Sequence, residues 1–201
     1  MLKELLKNRE FLKVIEQALK RPEIIDIMLF GSIVRGKEEP EDIDLLIIYS
    51  PQLKDYTELG YNLRKTLEKI NRKISIIEKK YNEVFAPEFF ANEALLSEGF
   101  SLRENGFLSD LLGYKSYKLF KYSLGSLSKT KRMQFYYSLY GRGKEMGFLE
   151  KNKSYKFSDS IIVSEVGSSE ICKEFFERWK IEYDEVPVII PKRLANRIEK
   201  R

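Results

Sequence analysis

Two aspartates break into an apolar run at Asp42-Ile43-Asp44-Leu45-Leu46-Ile47-Ile48, and any fold for this chain has to accommodate them. The run reads as a strand, and strand side chains at i and i+2 share a face. Asp42 and Asp44 therefore point the same way from a segment whose other residues ask for burial. Paired carboxylates repel each other, and burying them without compensation is costly. A divalent cation relieves that repulsion, and Mg²⁺ usually takes one or two carboxylates together with substrate phosphates. By itself an Asp-x-Asp is ordinarily a solvated strand edge. The segment just upstream makes this one more demanding.

Ile24–Phe30 has strand character and stops at Gly31-Ser32, nine residues before Asp42. Gly31 lets the chain leave its strand with no side chain in the way. Ser32 offers a hydroxyl where a helix could start, at Ile33–Arg35, and helix N-termini bind phosphate through free N–H groups. Arg35 adds a cation, or simply sits in solvent. Histidine is absent, which removes imidazole bases, Ser–His triads and His metal sites. Catalysis then falls to carboxylates, hydroxyls, Lys, Arg or a bound metal, and carboxylates favour hard cations such as Mg²⁺ or Mn²⁺.

LFGSIVRG followed by DIDLLI resembles the hallmark of the DNA polymerase beta-like nucleotidyltransferases, especially the small prokaryotic and archaeal minimal type. Their pattern is an apolar residue, Gly, Gly or Ser, a spacer, then Asp-apolar-Asp/Glu. It falls here on Phe30, Gly31, Ser32, Asp42 and Asp44, and Arg35 and Gly36 match as well. The resemblance covers roughly residues 10–103. It implies that Asp42 and Asp44 hold Mg²⁺ and act in catalysis, that Gly31, Ser32 and Arg35 bind a nucleoside triphosphate, and that a nucleoside monophosphate passes to an acceptor hydroxyl. RNA, a protein or a small molecule could be that acceptor.

Relatives usually carry a third carboxylate on the next strand. In Lys73-Ile74-Ser75-Ile76-Ile77-Glu78 the matching position is Ser75, and Glu78, three residues on, faces the other side of a regular strand. A weak or inactive transferase follows as one expectation. A non-catalytic nucleotide- or RNA-binding module on the same fold is the alternative, and a plain assembly subunit is a third.

Apolar periodicity predicts helices over 2–20, 56–70 and 87–97 and strands over 24–30, 43–49, 73–77 and, at an edge, 99–103. The expected fold class is α/β (α+β): a small mixed sheet flanked by helices over residues 1–106, with a smaller α+β accessory domain over 113–201. In the second part, 114–124 and 128–140 read as basic, aromatic helices, followed by strand, helix and strand over 161–166, 168–179 and 183–190.

The net charge is +5, but the stretch from Gly113 to Lys156 holds 11 Lys and Arg against 2 Asp and Glu, so the remainder is acidic. Cations interleaved with aromatics are a footprint of nucleic-acid binding. Lys129, Lys131, Arg132 and Arg142 are the candidate contacts, with a solvated face as the plainer reading. A single cysteine, Cys172, allows no intrachain disulfide. The charged N-terminus does not read as a signal peptide, and no apolar run suits a membrane span. A cytoplasmic protein is expected. Abundant Lys, Glu, Ile and Tyr with scarce Gln resembles hyperthermophile composition, as in archaea. Oligomeric state is left open.

Overall fold

A computed structural model describes residues 2–70 and 73–199. The chain forms two compact units, Met1–Leu112 and Gly113–Arg201.

In the first unit the expected helix over 2–20 is two helices, α1 (Leu2–Leu5) and α2 (Arg9–Leu19). Asn8 divides them by capping α2: its side-chain oxygen accepts from the N–H groups of Glu10 and Phe11, satisfying donors that a helix start leaves open. Phe11, Ile15 and Ala18 form the buried stripe of α2.

The strands β1 (Ile24–Phe30) and β2 (Ile43–Tyr49) run antiparallel, with Phe30 opposite Asp44. Helix α3 (Thr57–Glu68) crosses to β3 (Ile74–Lys80), which lies parallel to β2 with Ser75 opposite Asp44. Two short helices follow, α4 (Tyr81–Val84) and α5 (Asn92–Glu98). The hairpin β4 (Phe100–Ser101) and β5 (Gly106–Phe107) leads to α6 (Leu108–Leu111). The sheet order is β3-β2-β1-β4-β5. The strand expected at an edge over 99–103 is therefore interior and only two residues long, because β5 pairs along its outer side. The helix expected over 87–97 starts later, at Asn92.

Alternation divides the sheet's two faces. Met28, Leu46 and Ile48 pack with Val84, Phe89 and Leu95 of the α4–α5 side. Leu45, Ile47 and Tyr49 occupy the alternate positions, on the α3 side, and are also fully buried. Asp44 shares its face with Leu46, and so with α5.

In the second unit β6 (Tyr114–Tyr122) is followed by α7 (Lys129–Tyr140), a hairpin of β7 (Gly141–Arg142) and β8 (Glu145–Met146), and α8 (Phe148–Lys151). Then come β9 (Ser154–Ser158), β10 (Ile161–Glu165), α9 (Ser169–Trp179), β11 (Tyr183–Pro191) and α10 (Asn196–Glu199). The antiparallel order is β11-β6-β10-β9.

The helix expected over 114–124 is thus a central strand. Both its faces are covered, so it lacks the apolar–polar alternation that marks a strand exposed on one side. Phe120 and Tyr122 pack among Phe135, Cys172 and Phe176, whereas Tyr117 and Leu119 pack with Val163 and Ala195. Lys118 survives burial beside Glu185, 3.4 Å away, which also pairs with Lys173 at 2.7 Å.

Candidate active site

Gly31 combines a left-handed backbone with a close approach to the acidic pair. Its φ is +76°, and a Cβ built there would lie 2.2 Å from Oδ2 of Asp44. The bare backbone therefore lets the Asp44 carboxylate settle over the end of β1. Residues 32–36 then turn tightly instead of forming the expected helix: the N–H groups of Val34 and Arg35 both donate to the Gly31 carbonyl, and that of Lys37 to the Ser32 carbonyl. Phosphate recognition here cannot invoke a helix dipole, only the N–H groups and side chains of the turn.

Asp42 sits just before β2 and Asp44 on it, close enough for Asp42 to affect the ionisation of Asp44. Burial first, and then the charge of Asp42, raise the pKa of Asp44 above the ordinary aspartate value. A hydrogen bond from Ser75 and the charge of Arg35 oppose that rise. Asp44 thus holds its proton more readily than a free aspartate, and added positive charge beside it would offset that.

Ser75, not Glu78, faces the pair. Glu78 points to the α3 side, where its carboxylate accepts from the Tyr49 hydroxyl at 2.8 Å. A Cβ on Gly60 would meet that carboxylate at 2.0 Å, so Glu78 is packed against the bare backbone of α3.

Glu98 carries no signal in its local sequence. At the end of α5, only 3% exposed, it pairs with Nη1 of Arg35 at 2.8 Å and adds negative charge near Asp44. Its partner lies 63 residues earlier in the chain, a contact without a local signal. Arg35 thus bridges the charges of Glu98 and Asp44 instead of sitting in solvent. Among the described residues no three Asp, Glu, Cys or His side chains are grouped to hold a metal ion. Asp42 and Asp44 suit the mode in which Mg²⁺ takes two carboxylates and completes its shell from phosphate and water.

Asp26, also on β1, has a structural task. It accepts from the Ser101 hydroxyl at 2.6 Å and from the N–H of Arg103, while the Arg103 guanidinium donates to the carbonyls of Leu19, Ile24 and Ile25. Burial raises the pKa of Asp26 despite these partners.

In the second unit Lys129, Lys131, Arg132 and Arg142 are all exposed. Arg132 is the least available, since its guanidinium donates to the carbonyls of Leu127 and Gly125. Arg142 lies over the ring of Tyr137, 4.8 Å from its centroid. Cys172 is buried against Ser154.

Residues 13–99 match the family model described as Polymerase beta, Nucleotidyltransferase. Over this stretch, less than half of the chain, the sequence is similar to that family, and the mixed five-stranded sheet flanked by helices fits the nucleotidyltransferase fold. A solved structure described as the crystal structure of a toxin-antitoxin with AMP-PNP is 18% identical, with a TM-score of 0.35 over 45% of this chain and 71% of its own. No curated protein matches the chain. No helix among the described residues is long and apolar enough to cross a membrane.

Proposed function

We propose that the first unit transfers a nucleoside monophosphate from a nucleoside triphosphate to an acceptor hydroxyl. The carrying observation is the close fit of the bare Gly31 backbone beneath Asp44, with Asp42 beside it. Asp42 and Asp44 would hold Mg²⁺ or Mn²⁺, which on binding neutralises charge developing on the phosphates. The side chains of Ser32 and Arg35, with the N–H groups at the start of the turn, Ser32 and Ile33, hold the triphosphate. The acceptor oxygen bonds to the α-phosphorus, the bond from that phosphorus to the bridging oxygen breaks, and pyrophosphate leaves with the electron pair. Ser75 stands where a third carboxylate would take the acceptor's proton, so the proton passes to water and transfer is slow. The same serine favours a second reading, in which the unit binds nucleotide without transferring it.

The test is incubation with labelled nucleoside triphosphates, Mg²⁺ or Mn²⁺, and total RNA or cell lysate. Label transferred to an acceptor, and lost in Asp42→Asn/Asp44→Asn, supports the enzyme. Metal-dependent nucleotide binding without transfer supports the second reading, and no metal-dependent binding at all removes both.

A further inference from the structure

We propose that the α7 face of the second unit binds single-stranded RNA, stacking bases on its exposed tyrosines and seating one base in the cavity beside them. This names the acceptor class for the transferase reading and rests on that reading only for the role of acceptor. Binding itself stands on the second unit alone.

Of the twelve residues of α7 only Phe135 and Leu139 are buried. Met133, Tyr136, Tyr137 and Tyr140 are between 37% and 50% exposed. Side chains so placed leave roughly two fifths of their surface open to a ligand. The rings of Tyr136 and Tyr140 lie nearly parallel, 15° apart with centroids at 5.9 Å. Each flank has a cation against a ring: Arg142 over Tyr137, and Lys156 at 5.5 Å from Tyr140. Lys129 adds positive charge on the tyrosine side of the first turn, Lys131 lies round the helix from it, and the helix itself carries no acid. Alternating ring faces and cations suit a strand of unpaired bases joined by phosphates.

A cavity of about 360 Å³ opens beside Tyr137, lined also by Met146, Phe148, Phe175, Asn152 and Arg178. Its size falls among small-ligand clefts, roughly 300–1,000 Å³. The stacked rings of Phe148 and Phe175, with centroids 4.1 Å apart, supply an apolar wall. Glu145, also in the lining, is suited to accept a hydrogen bond from an exocyclic amine. Bases within a duplex cannot reach such a pocket, and single-stranded RNA is commonly read by splaying bases onto aromatic rings. The hydroxyls of Tyr137 and Ser138 at the cavity edge offer partners to the ribose 2′-hydroxyl, which DNA lacks.

The test is fluorescence anisotropy of the full chain with a labelled, unstructured RNA of about 12 nucleotides, the DNA of the same sequence, and the RNA duplex. Nucleoside triphosphate and divalent metal are omitted, so failure of transfer leaves the result untouched. Single-stranded RNA should bind most tightly. Lys129→Glu/Lys131→Glu should weaken it about tenfold and flatten its salt dependence. Tyr137→Ala should weaken it about tenfold without changing the salt dependence. Both variants should keep the thermal unfolding of the parent, with the exposed lysine pair as the check should the tyrosine variant lose stability. Absence of saturable RNA binding, equal affinity for duplex or DNA, or indifference to both variants overturns the proposal.

Discussion

Substituting Gly31→Ala probes the one place where backbone conformation and the acidic pair meet. Two costs add. A non-glycine residue in the left-handed region costs roughly 1–2 kcal/mol. The new Cβ would also stand 2.2 Å from Asp44 Oδ2, where ordinary contacts begin at 3.4 Å. Asp44 has to swing away and give up the hydrogen bond from Ser75, a net loss of about 0.5–1.5 kcal/mol. The first unit should lose about 1.5–3.5 kcal/mol in urea unfolding. At roughly 4–8 °C per kcal/mol for a domain of this size, its thermal midpoint should fall by about 6–28 °C. Gly113→Ala is the control for the backbone cost alone, because Gly113 also has positive φ (+80°) but nothing within 4 Å of a Cβ. It should cost only about 1–2 kcal/mol and leave metal-dependent nucleotide binding intact, whereas Gly31→Ala should abolish that binding. Equal losses for the two variants, with nucleotide binding retained in Gly31→Ala, would refute the close packing of Gly31 on Asp44.

Asp26 makes stability depend on pH. Its folded pKa is raised, so the stabilising contribution is fully present below the unfolded value, about 3.9, and is lost as pH rises through the folded value. Asp26→Asn, which keeps an acceptor oxygen, should flatten this part of the profile in urea midpoints taken from about pH 4 to 7; an unchanged profile would exclude Asp26 as its source. Glu98→Ala should cost about 2–3 kcal/mol, at or below the low end for a broken buried ion pair, because Arg35 keeps a quarter of its surface in water. Unfolding with Mg²⁺ omitted measures this, and a loss under about 1 kcal/mol would mean that Arg35 finds another partner. Phe135→Ala removes a ring packed on Tyr122, Phe175, Phe176 and Trp179. It should destabilise the second unit by about 3–5 kcal/mol, seen as loss of near-ultraviolet circular dichroism at lower denaturant.

β1 and β2 follow closely from periodicity, because each is an apolar run closed by turn residues, whereas β3 continues through Glu78, Lys79 and Lys80, past the apolar run expected over 73–77, because those residues pair with β2. Asn8 is one departure: its cap splits a helix that apolar spacing alone would keep whole. In the second unit Tyr114–Tyr122 mixes lysines and rings on both faces, and the packing of α9 on one side and α10 on the other decides its conformation. The facing of Ser75 and Glu78 followed from strand parity. Glu98 had no comparable signal, because its meaning depends on an arginine brought beside it only by folding.

The in-register pairing of Ser75 with Asp44 sets how far this chain stands from a three-acid site. The backbone position facing the aspartates already exists; only the side chain there differs. On the proposed reading, the step from binding a nucleotide to transferring it would then ask for a single residue change, with no rearrangement of strands.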